Sequence, residues 1–171
     1  MKISTIVVVL LFAGFLVYTL ILRKRATGER KFQSTDEFVQ WLANEAVKDA
    51  RENYGVELDY SPNSIQKVEQ TLGQVHDQYV KDQKSVLPIP LGSAYGAYIG
   101  EVIRRTEPGA RWERDDPVMG EKAYPIIWGG GNSYPMGWCI KRIENGPEDN
   151  VWIKYKVLKQ RREEKATGVK K

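Results

Sequence analysis

Leu91-Gly92-Ser93-Ala94-Tyr95-Gly96-Ala97-Tyr98-Ile99-Gly100-Glu101-Val102-Ile103-Arg104-Arg105, residues 91–105, is the stretch on which the fold turns. Gly92, Gly96 and Gly100 stand four apart, so on a helix they share one face. Each glycine costs about 1 kcal/mol against alanine in a helix interior. Three on one stripe predict that another backbone approaches closely. Tyr95, Ile99, Val102 and Ile103 supply the apolar contacts. The helix is too short, and too charged at its end, to cross a bilayer. The segment Ser85-Val86-Leu87-Pro88-Ile89-Pro90 introduces it and Pro108-Gly109 ends it.

Two more helices precede it. Ser34-Thr35-Asp36-Glu37 fits a capping box, with Ser34 at the N-cap and Glu37 three residues on. Phe38, Leu42, Ala46 and Ala50 then recur every four residues, Trp41 widens the face, and Tyr54-Gly55 supplies a stop. The next helix is predicted from Ser61-Pro62, with Ile65, Val68, Leu72, Val75 and Tyr79 as an apolar stripe. The two read as an antiparallel helical hairpin joined by Val56 to Tyr60.

Short strands follow the glycine helix. Ala110 to Glu113 reads as a strand with Trp112 turned inward, and Ala123 to Trp128 as a second, which Pro125 marks as an edge or a bulge. Gly129-Gly130-Gly131-Asn132 is a turn. A short helix from Pro135 puts Met136, Cys139, Ile140 and Ile143 on one face. Asn145-Gly146-Pro147 breaks it, and a last helix from Pro147 uses Val151, Trp152, Tyr155 and Leu158. The fold class is α+β: a helical hairpin and a Gly-rich helix on a small antiparallel sheet, closed by a C-terminal helix.

At the N-terminus, Ile3 to Leu22 is an unbroken apolar run without charge or proline, closed by Arg23-Lys24-Arg25. About 20 residues at ~1.5 Å each match the ~30 Å hydrocarbon core of a bilayer, so a transmembrane helix is expected. No small-residue cleavage pattern of a signal peptide follows it. Basic residues crowd its C-terminal flank, which places the domain in the cytoplasm, at the inner membrane of a bacterial cell. Arg23, Lys24 and Arg25 are the expected membrane contacts. The division is then 1–22 anchor, 23–33 basic linker, 34–159 domain and 160–171 basic disordered tail.

Charge comes in blocks. Residues 23–31 carry five basic side chains against one acidic, residues 32–153 twelve against nineteen, and residues 154–171 eight against two. The acidic body disfavours nucleic acid, while the basic ends suit anionic lipid. The single cysteine, Cys139, forms no intrachain disulfide and reads as a small buried hydrophobe.

Chemistry-bearing patterns are few. One histidine, His76, and one cysteine exclude zinc sites built from several of either. No metal site and no cofactor is expected. The glycine turn lacks the G-K-[ST] of a P-loop and the spacing of a dinucleotide turn. Glu113, Asp115 and Asp116 form an acidic cluster, the one feature on which a metal-dependent enzyme or a hydrolase could rest. Glu101, Arg104 and Arg105 stand at i, i+3 and i+4, the spacing of helical ion pairs.

Gly96-Ala97-Tyr98-Ile99-Gly100-Glu101, then Arg111-Trp112, then Lys141-Arg142-Ile143-Glu144-Asn145-Gly146 together resemble a family of uncharacterised bacterial domains. Those domains have a GAYxGE-type helix, a Trp strand and a late KR-x-x-NG segment, and the resemblance spans roughly Ser61 to Leu158. It implies a compact α+β module with no established activity, and carries over no catalytic residue. Relatives of this style include interaction and immunity-type proteins. The expected function is a single-pass membrane-anchored binding module without catalysis, with the bilayer and a protein as partners. Glu101, Arg104, Arg105, Trp112, Lys141 and Arg142 are the candidate binding residues. The alternative is a membrane-anchored enzyme using Asp115 and Asp116.

Overall fold

The Gly-rich segment lies at the centre of the unit that begins at Gln33. The computed structural model describes residues 31–121 and 123–167. The unit that begins at Gln33 is α+β, with α1 Thr35–Tyr54, α2 Ser64–Lys81, α3 Pro88–Thr106, β1 Arg111–Trp112, β2 Ile126–Trp128, β3 Gly131–Ser133, α4 Pro135–Asn145 and α5 Val151–Thr167. A 3-10 turn, Pro147–Asp149, joins the last two helices. The apolar run Ile3 to Leu22 and the basic Arg23, Lys24 and Arg25 lie outside the described residues. Among the described residues no helix is long and apolar enough to cross a membrane.

Every residue of α3 from Ala94 to Ile103 is buried. The reason is its glycine face. A Cβ at Gly92 would lie 2.7 Å from the backbone nitrogen of Ile140, one at Gly96 would overlap the backbone of Met136, and one at Gly100 would overlap the Trp112 ring. The close approach predicted from the spacing is therefore real. It involves the backbone of α4 at two glycines and an indole at the third.

α1 begins as predicted. Ser34 Oγ accepts the Glu37 N–H (3.1 Å), and the Glu37 carboxylate reaches back to the Gln33 N–H (2.7 Å). Gly55 ends the helix at φ 65°, with its N–H on Arg51 O. Small residues on its buried stripe, Ala43, Ala46 and Ala50, let α1 lie against α3. α2 starts at Ser64, after a tight turn in which Ser61 Oγ accepts the Ser64 N–H (3.3 Å). Its stripe Ile65, Val68, Leu72 and Val75 is wholly buried, but against α4 and α5.

The expected helical hairpin is thus corrected: α1 and α2 do not lie side by side. The apolar face of α1 is covered by α3, and that of α2 by α4 and α5. The connection between them is pinned to α3, because Tyr98 Oη accepts the Tyr60 N–H (2.8 Å) and shares a hydrogen bond with Ser64 Oγ (2.6 Å).

The sheet is antiparallel in the order β1-β2-β3, pairing Trp112 with Ile126 and Ile126 with Ser133. β2 is therefore its central strand. Pro125, expected to mark an edge, stands just before the strand, where it needs no N–H; its carbonyl accepts the Glu113 N–H (3.0 Å). Gly129 and Gly130, at φ 52° and 77°, form the two-residue turn between β2 and β3. Two successive left-handed residues match the twist of a hairpin.

α5 starts at Val151 rather than Pro147, with Asn150 Oδ1 accepting the Ile153 N–H (2.8 Å). It continues through Thr167, so the tail expected to be disordered from residue 160 is helical over 160–167. Arg162 lies 3.8 Å from the Trp128 ring centroid and donates to Ser133 Oγ (3.1 Å), while Lys159 pairs with Glu107. Apolar periodicity fails to signal this contact because the docking group is a guanidinium on an aromatic face. Arg162→Ala is expected to lower stability by about 1 kcal/mol, measured by urea denaturation. An unchanged midpoint would return these residues to the status of a solvated tail.

Candidate functional site

Four of the six candidate binding residues meet at the C-terminal end of α3. Glu101 is 1% exposed. Its Oε1 accepts from Arg104 Nε (2.8 Å) and from the Trp112 indole N–H (2.9 Å), and its Oε2 accepts from Arg104 Nη2 (2.9 Å). Arg105 approaches Oε2 at 3.5 Å, stacks on the Tyr60 ring and donates to Gln40. Burial raises the Glu101 carboxyl, but Arg104, the indole N–H and the charge of Arg105 outweigh it and hold it below the usual carboxylate range. The cluster fastens β1 to α3 over Gly100. The Glu101 carboxylate is taken up by Arg104 and the Trp112 indole of its own fold, as expected of a joint.

Arg142 belongs to a different cluster. It is buried, and its Nε donates to Glu69 Oε1 (2.6 Å). Glu69 Oε2 accepts the Val151 N–H (2.8 Å), the first N–H of α5. Among the described residues no hydrogen bond or ion pair joins this group to Glu101. Lys141, its neighbour in sequence, is exposed. Sequence reading missed Glu69 because its partner is 73 residues away and a lone glutamate on α2 reads as surface.

The acidic cluster also separates. Asp116 is buried, and its Oδ1 accepts the N–H groups of Val118 (2.8 Å) and Met119 (2.9 Å). Its Oδ2 accepts from Tyr134 Oη (2.7 Å) and Asn132 Nδ2 (3.1 Å). The Met119 N–H, the Tyr134 hydroxyl and the Val118 N–H hold this carboxyl below the ordinary aspartate range. Asp115, at φ 63°, and Glu113 are exposed. Among the described residues no three His, Cys, Asp or Glu side chains are grouped to hold a metal ion.

A group depressed in the folded state stabilises fully above its unfolded value, about pH 4, and loses that contribution as pH falls through the folded value. Asp116→Asn should therefore be less stable than the parent at neutral pH and lose less on acidification, in urea midpoints taken from about pH 7 to about pH 3. Parallel profiles would show that Asp116 contributes nothing to acid sensitivity.

Cys139 is fully buried, and burial raises its thiol well above the usual range, consistent with a packing role. His76 Nδ1 bonds Ile143 O (2.8 Å) at the end of α4.

A groove of about 1010 Å³ runs along α1. One wall is α1 from Phe38 and Trp41 through Glu45 and Asp49 to Tyr54. The other is the entry to α3, with Val86, Leu87 and Leu91, and Met136 of α4. From Phe38 to Tyr54 the α1 wall is about 24 Å long at ~1.5 Å per residue. Asp49 Oδ2 accepts from Tyr95 Oη (2.7 Å) and its Oδ1 from Asn53 Nδ2 (2.7 Å). Burial, then the Asp49 hydrogen bond, raises the Tyr95 hydroxyl far above its usual range. None of Glu101, Arg104, Arg105, Trp112, Lys141, Arg142, Asp115 or Asp116 lines this groove. The signal available in sequence was the row Trp41, Glu45 and Asp49, which lies beside the buried stripe of α1 and recurs at helical spacing.

The model of a family described as a family of unknown function, DUF6278, matches residues 21–123. The chain belongs to this family. No curated protein and no solved structure matches the chain. The family is one without established activity, as the resemblance implied. The matched residues begin and end earlier than the stretch on which that resemblance rested. They contain α1, α2, α3 and β1, and with them the Glu101 cluster and the α1 wall of the groove.

Proposed function

We propose that this chain is a single-pass membrane-anchored protein-binding module without catalytic activity. The observation that carries the reading is the groove along α1: long, open, walled by apolar and aromatic side chains, and edged by a few polar groups. Exposed concave apolar surface of this length is what a docked segment of another protein covers. The strongest candidate polar residues support the same reading. Glu101, Asp116 and Arg142 each direct several hydrogen bonds or a buried ion pair to their own fold.

The anchor is Ile3 to Leu22, on the length and charge arguments, with Arg23, Lys24 and Arg25 at the lipid headgroups and the domain on the cytoplasmic side. Alkaline carbonate should leave the full chain in the membrane pellet. A C-terminal reporter active only in the cytoplasm should work, and an export-dependent one should not. The opposite reporter pattern reverses the topology, and extraction by carbonate removes the anchor from the proposal.

For the binding role, a photo-crosslinking residue placed at Leu87 and, separately, at Val118 of the full chain in native membranes should yield a discrete adduct with another protein. Metal-dependent or metal-independent hydrolysis of ester, phosphoester or peptide substrates by the purified full chain, lost in a Glu113/Asp115/Asp116 triple alanine variant that still folds, would favour an enzyme instead.

A further inference from the structure

Resting on the protein-binding reading, we propose that the groove along α1 receives a cationic amphipathic helix from a partner protein. Two basic side chains of that helix, one turn apart, face Glu45 and Asp49.

The charge of the groove selects the partner. Among the described residues, the only ionic side chains lining it are carboxylates, Glu45 and Asp49. They stand four residues apart on α1, which puts them on one face about 6 Å apart. Asp49 is held in place by Tyr95 and Asn53. Glu45 is exposed and makes no hydrogen bond or ion pair among the described residues. A docked segment that covered both carboxylates with apolar groups would leave them buried without a counter-charge, at a cost that opposes binding. A pair of lysines or arginines at i, i+4 on a helix has the matching spacing. Potential complementarity of this kind raises the association rate and rejects acidic competitors.

The shape selects a helix. The groove has the volume of the largest small-molecule pockets, but it is drawn out along about 24 Å of α1. It lies between α1 and the entry to α3, with Tyr124 just ahead of β2 also on its wall, and no residue of β1, β2 or β3 lines it, so a helix suits it better than an added β-strand. An apolar face repeating every three or four residues fits such a channel. Leu87 is 68% exposed at its lip, and Leu91 and Met136 lie deeper. Ser85, Ser93 and Gln78 supply the polar rim found around docking surfaces.

The test uses the full chain in phosphatidylcholine nanodiscs. The probes are two fluorescein-labelled helical peptides of about 16 residues, enough to span the groove. They have the same leucine face and differ only in carrying Lys or Glu at the i, i+4 pair beside it. The Lys peptide should bind saturably by anisotropy, and the Glu peptide about tenfold or more weaker. Glu45→Lys, which leaves Asp49 as the one carboxylate, should remove most of that preference without moving the melting temperature, because Glu45 has no hydrogen-bond or ion-pair partner among the described residues. Leu87→Glu should weaken both peptides. Equal affinity of the parent chain for the two peptides, or a preference undiminished in Glu45→Lys, overturns the proposal.

Crosslinking from Leu87 in native membranes assigns the occupant. An adduct with a helix carrying basic side chains supports the proposal; one with residues 1–30 of this chain or with a second copy overturns it. A protein adduct from Val118 but not from Leu87 removes the groove and leaves the protein-binding role standing. No adduct from either position removes both.

Discussion

Gly96→Ala is expected to destabilise the domain by about 2–3 kcal/mol, although alanine is the better helix former by about 1 kcal/mol. The added methyl group would overlap the Met136 backbone, with the Pro135 carbonyl carbon also at 2.6 Å. Backbone atoms at the start of α4 cannot turn aside as the end of a flexible side chain can. The two helices would have to separate, and the buried row around Tyr95 and Ile99 would lose its fit. Gly96→Leu, with three more carbons in the same place, should leave no cooperative unfolding transition. Gly137, on α4 and in open space, is the control: Gly137→Ala should stabilise by up to about 1 kcal/mol. Urea denaturation followed by tryptophan fluorescence reads all three. Equal gains at both glycines would mean that α3 and α4 are not in backbone contact.

Glu69→Ala should cost about 3–5 kcal/mol, the usual penalty for removing one partner of a buried ion pair. Two losses coincide. Arg142 keeps its charge in a site where it is buried and its Nη1 already lacks a hydrogen-bond partner among the described residues, and the first N–H of α5 loses its acceptor. A negative group at a helix N-terminus also complements the helix dipole. Arg142→Ala should be similarly severe, because it leaves the carboxylate behind. The double variant Glu69→Met/Arg142→Met should recover much of the loss, since apolar side chains of similar size remove both buried charges together. The measurement is the coupling in a double-mutant cycle by chemical denaturation. Additive losses would show that the pair does not act as a unit.

Several features were legible in the residues alone because their causes are local. The Ser34 cap, the Gly55 stop, the buried stripe of α2 and the Gly129-Gly130 turn each follow from backbone preferences within a few positions. Spacing alone also exposed the glycine face of α3. Four-residue periodicity is a helical address, and an address occupied three times by the most costly non-proline residue needs a neighbour to account for it.

Partner choice lay beyond that reach. Nothing within α1 or α2 says that each prefers α3 or α4 to the other, since an apolar stripe does not name the face that will cover it. The same gap misplaced the candidate site. Arg142 was grouped with Glu101 by motif, but its partner is Glu69, and the two clusters form separate joints. Asp116 looked like half of an acidic pair, while its four hydrogen bonds make it the organiser of its own loop. Arg162 read as part of a solvated tail until Trp128 appeared beneath it.

The sequence by itself determined the α+β class, the glycine face, the acidic body between basic ends and the membership of a family without established activity. Tertiary structure alone decided which helices touch, which charges are buried in pairs and where the surface opens. Helix caps, turns and periodicity are set by interactions a few residues long, which the order of residues states directly. A groove and a buried ion pair are set by residues from helices far apart in the chain, and their meeting depends on the packing of the whole domain.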